Sequence, residues 1–298
     1  MLKHKERNIY LMSSKGVFKY IFASGLLFIF YSCSKDEYYT DYKTKEKQIL
    51  ETNDNNKDDS NSSITLFQSK YIIAHMGVHG NGVPENSRES LIKALELNIY
   101  GTEFDVRQTK DKMLVICHNA SFHGLSIANS SYEELSQYAL KNGESFPLLE
   151  DFLKIKKDNK SNVRLIIELK GCNVSNLVQL VDKYDLQDEV DYISFSSRYC
   201  NELVSLGYGD KTYFLGGNYS PAKVKDLKYG GIDYRYIVYN SNENWIDEAK
   251  ALNLKTVVWV VNDVEKIKEY IQKEVIVTTD YPQKGYEIEE AICKTNNQ

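Results

Sequence analysis

The sequence has no excess of positive charge, no Cys-x-x-Cys pair, no glycine-rich dinucleotide or phosphate loop, and no apolar run long enough to cross a bilayer comfortably. Each absence removes a class. A formal net charge of -5 over 298 residues offers no basic field for gripping nucleic acid independently of its sequence, so no nucleic-acid partner is expected. Without paired cysteines, thiolate zinc binding has little support, and Cys117, Cys172, Cys200 and Cys293 leave disulfide connectivity open. The missing dinucleotide fingerprint and phosphate loop count against an open doubly wound sheet.

Much of what is present at the N-terminus reads as targeting. Lys3, Lys5, Arg7, Lys15 and Lys19 precede a short apolar run over 20–31, the pattern of a signal peptide. The run ends in Phe30-Tyr31-Ser32-Cys33, which resembles a bacterial lipobox with Cys33 as the lipidated first mature residue; a plain membrane anchor or a cleaved secretory signal is the alternative. Ser34-Lys35-Asp36-Glu37 resembles the acidic export signal of some surface-exposed lipoproteins. The expected organisation is a lipoprotein signal peptide over 1–33, a flexible polar tether over 34–66 and a folded domain over 67–298. The protein is then expected in the bacterial cell envelope, lipid-anchored to the outer membrane through Cys33 and facing either the periplasm or the outside.

Within the folded part, β-branched or apolar runs at 71–74, 102–106, 113–117, 164–169, 192–195, 212–215, 236–239 and 256–260 alternate with amphipathic helical patterns. About eight such units predict a closed (β/α)8 TIM barrel, in which reacting groups sit at the carboxyl ends of the strands. His75 follows the first run, Glu103 and Asp105 lie in the second, His118 follows the third and Glu168 closes the fourth. Glu103 and Asp105 are two apart and share a strand face. Two buried carboxylates side by side are costly without a compensating cation, so a metal is expected. Three carboxylates and two imidazoles together supply the charge neutralisation and proton transfer that phosphodiester cleavage needs.

The motifs and their order resemble the glycerophosphodiester phosphodiesterase family, within the phospholipase C-like phosphodiesterase barrels. Ala74-His75-Met76-Gly77 resembles that family's Ala-His-Arg-Gly, Pro84-Glu85-Asn86-Ser87 its Pro-Glu-Asn-Thr, and Gly101-Thr102-Glu103-Phe104-Asp105-Val106 its Gly-x-Glu-x-Asp-Val. Ile167-Glu168-Leu169-Lys170, Val258-Trp259-Val260-Val261-Asn262 and Thr278-Thr279-Asp280-Tyr281-Pro282 match later motifs in sequence. The resemblance implies that Glu103, Asp105 and Glu168 hold one divalent cation, calcium or magnesium, as all-oxygen ligation suits. It implies that His75 and His118 are the acid and base, that Lys170 helps neutralise the phosphate, and that Glu85 orders the first loop or the surroundings of the metal. Trp259 would wall the pocket for the alcohol. The implied reaction is hydrolysis of a small glycerophosphodiester to glycerol phosphate and an alcohol, with no protein partner predicted.

Two positions depart from that pattern. Met76 replaces an arginine expected on the phosphate, and Asn119 replaces the aspartate that usually follows the second histidine. These leave open a shifted substrate (a diester on a glycan, phosphoinositide or surface polymer) and, in another class, a catalytically silent surface binding protein. Arg235, expected near the start of the 236–239 strand, is a further cation that could replace the missing charge. Arg107 or Lys170 could pair with the acids, His79 and His123 stand as loop residues beside the site, and Tyr234, Tyr236 and Tyr239 could line a sugar pocket.

Overall fold

Period-two alternation governs the architecture, because each barrel strand must satisfy a polar or apolar interior on one face and a helix layer on the other. A computed structural model describes residues 67–296 together with a short antiparallel pair, Met12–Ser13 and Gly16–Val17. The expected lipidation site Cys33 and the tether lie outside the described residues. From Phe67 onward the strands in chain order are β1 (Ile72–Ala74), β2 (Gly101–Gln108), β3 (Leu114–Ile116), β4 (Ser121–Phe122), β5 (Leu125–Ser126), β6 (Arg164–Leu169), β7 (Val190–Ser194), β8 (Thr212–Phe214), β9 (Gly231–Arg235), β10 (Lys255–Trp259) and β11 (Ile276–Thr279).

Parallel pairing runs β1-β2-β6-β7-β8-β9-β10-β11 and closes through β11 with β1, giving a (β/α)8 TIM barrel. Two of the expected strands were not barrel strands. Residues 113–117 contain β3, which pairs antiparallel with the end of β2 and lies outside the parallel ring. Residues 236–239 lie in a helix, Tyr236–Ser241. Its strand-like string of aromatic and β-branched residues places Tyr239 in the core and leaves Tyr236 and Ile237 exposed, a helical spacing. The true sixth barrel strand, β9, was obscured by inward-facing Gly231, Asp233 and Arg235, and β11 completes the ring.

The interior of the barrel is a small apolar plug of Ile73, Ile166, Ile193, Tyr213, Leu215, Val257 and Ile276. A larger layer outside it packs the other strand faces, such as Phe104, Ile167 and Tyr234, against helices including α1 (Arg88–Leu95), through Leu91 and Ala94. Each fully buried aliphatic side chain contributes about 1.5–3 kcal/mol, so these two layers fix the positions of the strand ends. Below the plug, Arg164 pairs with Asp191 at 2.8 Å, and Tyr100 donates to the same carboxylate. Above it lies the mouth.

Candidate active site

Strand alternation and register assemble the acids. Asp105 on β2 stands opposite Glu168 on β6, and Glu103 is two residues before Asp105 on the same face. One oxygen from each of Glu103, Asp105 and Glu168 falls within a 4.8 Å cluster. Lys170, just past β6, places its ammonium 3.3 Å from Asp105 and 3.1 Å from Glu168. One cation among three carboxylates is insufficient compensation: burial, reinforced by the charges of Asp105 and Glu168, holds Glu103 well above the ordinary carboxylate range. Burial and the charge of Asp105 push Glu168 up to about 7 against the opposing pull of Lys170. Lys170 itself is raised, its burial outweighed by Asp105 and Glu168.

The contact from Lys170 to Asp105 is an attraction rather than an aligned hydrogen bond, and Asp105 Oδ1 is a buried oxygen with no hydrogen-bond partner. A buried, unpartnered oxygen within a compact set of carboxylates is the donor set a hard divalent cation takes. The residues therefore fit such an ion.

The loop after β1 is built to hold these carboxylates. Met76 has φ +50° and Gly77 φ +78°, and a Cβ at Gly77 would lie 2.5 Å from Ser90 Oγ, so only glycine fits there. This turn directs the Met76 amide to donate to Glu103 at 3.0 Å. Further along, Asn86 Nδ2 donates to Asp105 at 2.8 Å while its own carbonyl oxygen accepts from the Asp105 amide. Ser87 then caps α1 by accepting from Ser90. The expected ordering residue, Glu85, is exposed, and its neighbour Asn86 makes the contacts to the acid cluster.

His75 and His118 both line a cavity of about 390 Å³, together with Met76, Glu103, Glu168, Lys170 and Trp259, a size suited to a small ligand. His75 Nδ1 lies 2.8 Å from Asp280, which also contacts His79 at 3.3 Å and accepts from Asn262 at 2.7 Å. Burial would raise the Asp280 carboxyl, but these hydrogen bonds, with His75 first, hold it far below the usual range. His118 Nδ1 lies 3.3 Å from Asn119 Oδ1. The departure at Asn119 thus removes a charge yet keeps an acceptor. An Nδ1–H donated to either of these acceptors would leave that ring's Nε2 free to exchange a proton.

Several contacts differ from those considered from sequence. Arg107 does not pair with Glu103 or Asp105. Its guanidinium donates to the carbonyls of Cys117, His118 and Lys170, the last two at 2.7 Å. It ties the segment carrying His118 to the end of β6. His123 stacks on Tyr138 at 4.8 Å and packs on Phe122, away from the cavity lining. Tyr234 and Tyr239 are buried in the outer core, donating to Tyr219 O and Val257 O, so they do not line a pocket. Sequence reasoning missed Asp280, Asn86 and Asp233. The first two sit inside motifs whose neighbours drew attention, and a spacing signal, Asp280 directly after β11, was available for the first. Asp233 lines the cavity floor with an unpartnered Oδ1; burial, aided by Glu168, raises it well above the carboxylate range.

Two imidazoles facing a lysine-braced acid cluster across a small cavity at the carboxyl ends of barrel strands place the protein among the barrel-type phosphoric diester hydrolases. Residues 75–284 match the model of the Glycerophosphoryl diester phosphodiesterase family, and the chain belongs to that family. It is similar to the Glycerophosphodiester phosphodiesterase of Caldanaerobacter subterraneus, 24% identical over 70% of this chain and 93% of that protein. The uncharacterized Bacillus subtilis protein YqiK is 28% identical over 42% of this chain, which spans only 58% of that relative. A solved glycerophosphodiester phosphodiesterase from Parabacteroides distasonis superposes with a TM-score of 0.72 at 35% identity, covering 76% of this chain and all (100%) of that one.

Proposed function

We propose that this protein is a metal-dependent glycerophosphodiester phosphodiesterase, releasing glycerol phosphate and an alcohol by acid–base catalysis at His75 and His118. The observation that supports this most is the convergence of Glu103, Asp105 and Glu168 to within 4.8 Å, with the unpartnered Asp105 Oδ1 among them. These three would hold one calcium or magnesium ion, which when bound neutralises charge developing on the phosphoryl oxygens. Lys170 adds a second positive group on the same side. One histidine removes the proton from the attacking hydroxyl or water through Nε2, and the other protonates the departing alcohol. Asp280 orients His75 in the tautomer that leaves Nε2 free; Asn119 offers His118 an acceptor without the charge.

We further propose, from the lipobox-like Phe30-Tyr31-Ser32-Cys33 alone, that the enzyme is anchored at Cys33 to the outer membrane of a bacterial envelope. Metabolic labelling with a fatty-acid probe would mark the wild-type chain and not Cys33→Ala.

The direct test is turnover of glycerophosphocholine and an aryl phosphodiester by the purified full chain with calcium, magnesium or chelator, beside His118→Ala. Metal-dependent hydrolysis lost in His118→Ala supports the proposal. Silence on both substrates with either metal overturns it and leaves a binding role on the same barrel.

A further inference from the structure

The mouth of the barrel has two poles. The acid cluster, Lys170 and the two histidines occupy the side formed by β1, β2 and β6. Across the mouth, Phe195 follows β7 and Leu215 follows β8, both lining the cavity with Trp259 at the end of β10. Trp259 is fixed in orientation: its indole Nε1 donates to Asp233 O at 2.9 Å, and Phe195 meets its ring edge-on at 5.6 Å.

Arg235 belongs to this second pole. The structure corrects its expected position, because it is the last residue of β9 and therefore stands at the carboxyl end, not the start, of a barrel strand. Alternation puts it on the same face as Asp233, two residues earlier, which lines the cavity. Register sets Arg235 beside Trp259 on β10, and its guanidinium carbon lies 5.5 Å from the centre of the indole ring. It is exposed, and among the described residues no carboxylate pairs with it. Arg88 and Arg164, by contrast, are committed to Asp151 and Asp191. An uncommitted guanidinium held on an aromatic ring at the rim of a cavity is a recognition group in search of an anion.

Its place around the ring decides what it can touch. In the closed order of strands, β9 is four steps from β2, on the opposite side of the barrel from Glu103 and Asp105. Arg235 thus cannot stand in for the arginine absent at Met76 on the phosphate. A diester whose phosphate sits at the acid cluster would instead extend its remote substituent over Trp259 toward Arg235. A bare indole face would welcome a quaternary ammonium. Here that face already carries a cation, which repels a second one and attracts an anion.

We propose that Arg235, displayed on Trp259, is a specificity residue that selects diesters whose group remote from the phosphate carries an anion, such as a carboxylate or a second phosphate, over those with a purely cationic group. This rests on the phosphodiesterase reading above and names the substrate class within it.

The test compares glycerophosphoserine with glycerophosphoethanolamine, which differ by one carboxylate, on the purified full chain with calcium or magnesium. Wild type, Arg235→Gln and Arg235→Lys are assayed, with thermal melting to verify folding and an aryl diester to report the acid cluster and histidines separately. The serine diester is expected to have the higher kcat/KM by at least about tenfold, the scale of a charge-assisted contact. Arg235→Gln should bring the two within about twofold through a raised KM for the serine diester, and Arg235→Lys should keep part of the preference. A wild-type ratio near one, or a preference that survives in Arg235→Gln, overturns the proposal. So does hydrolysis of the aryl diester with neither glycerol diester turned over, an outcome that leaves the phosphodiesterase reading standing. No hydrolysis of any of the three by wild type overturns both.

Discussion

Asp280 and His75 form a hydrogen-bonded pair, with 2.8 Å between the carboxylate Oδ1 and the imidazole Nδ1. Asp280, like Asp233 on β9, lies outside the triad on β2 and β6, and it contacts the histidine rather than the acid cluster. Thr279 Oγ1 and the Asp280 amide both donate to Asn262 Oδ1, so the turn after β11 is held independently of the histidine.

Asp280→Asn is therefore expected to keep the fold and lose rate. The amide can present its nitrogen or its oxygen to His75, so the tautomer is no longer enforced and the negative charge beside the ring is gone. A fall of about 10²-fold in kcat with little change in KM is expected from the usual contribution of a positioned acid or base. Steady-state kinetics on a glycerophosphodiester decides this, and an unchanged kcat would show that the pair is structural only.

Glu168 gives a pH dependence. Its folded-state pKa, about 7, lies above the ordinary value of 4.5, so between these values the folded chain binds a proton that the unfolded chain has released. Stability then falls as pH rises across that window. Chelator-treated protein should melt at progressively lower temperature from about pH 4.5 to about pH 7. Calcium or magnesium, which selects the ionised carboxylates, should restore the melting temperature most at the upper end and release protons on binding. A chelated protein whose melting temperature does not fall across this range would contradict the crowding of acids described here.

How far the sequence foretold this site depends on the residue. Glu103, Asp105, Glu168 and His75 were legible because strand alternation and position at strand ends are local properties, whereas His118 reaches the cavity from the segment after β3, outside the parallel ring. The barrel itself was legible in its count of units, but two of the expected strands were mistaken and two real ones passed over. The 236–239 run is apolar enough for a strand, and only its packing, with Tyr239 inward and Ile237 exposed, reveals a helix. β9 hid because its inward residues, Asp233 and Arg235, are charged in a place where the pattern asks for apolar ones. Asn86, Arg107 and Asp280 act through contacts between segments 11 to 205 residues apart, which no single-strand pattern encodes.

Met76→Arg tests one of the two positions, with Asn119, at which this chain departs from the motif it resembles. Position 76 already has φ +50° with a non-glycine side chain, so arginine adds no new backbone strain, and Met76 lines the cavity beside His75 and Glu103. A charge-assisted contact to phosphate is worth about 1.5–3 kcal/mol, so kcat/KM for a simple glycerophosphodiester should rise by about tenfold or more, chiefly through KM. A decrease would show that the apolar side chain contacts a part of the substrate other than phosphate.

Arg107 braces the backbone on which two of the cavity's side chains stand. Its two terminal nitrogens reach Lys170 O and His118 O, each at 2.7 Å, and so join the segment that carries one histidine to the strand end that carries the lysine. A lysine at this position has one nitrogen and cannot bridge both carbonyls with the planar fork that arginine provides. Arg107→Lys should therefore behave like Arg107→Ala, not like wild type: both are expected to lower kcat by about tenfold or more while binding of a divalent cation by the Glu103, Asp105 and Glu168 cluster persists. Calorimetric titration of the metal alongside kinetics separates the outcomes. Loss of metal binding in step with activity would mean that the fork supports the acid cluster instead of the histidine. Full rescue by lysine would mean that its charge, not its geometry, is what the site requires.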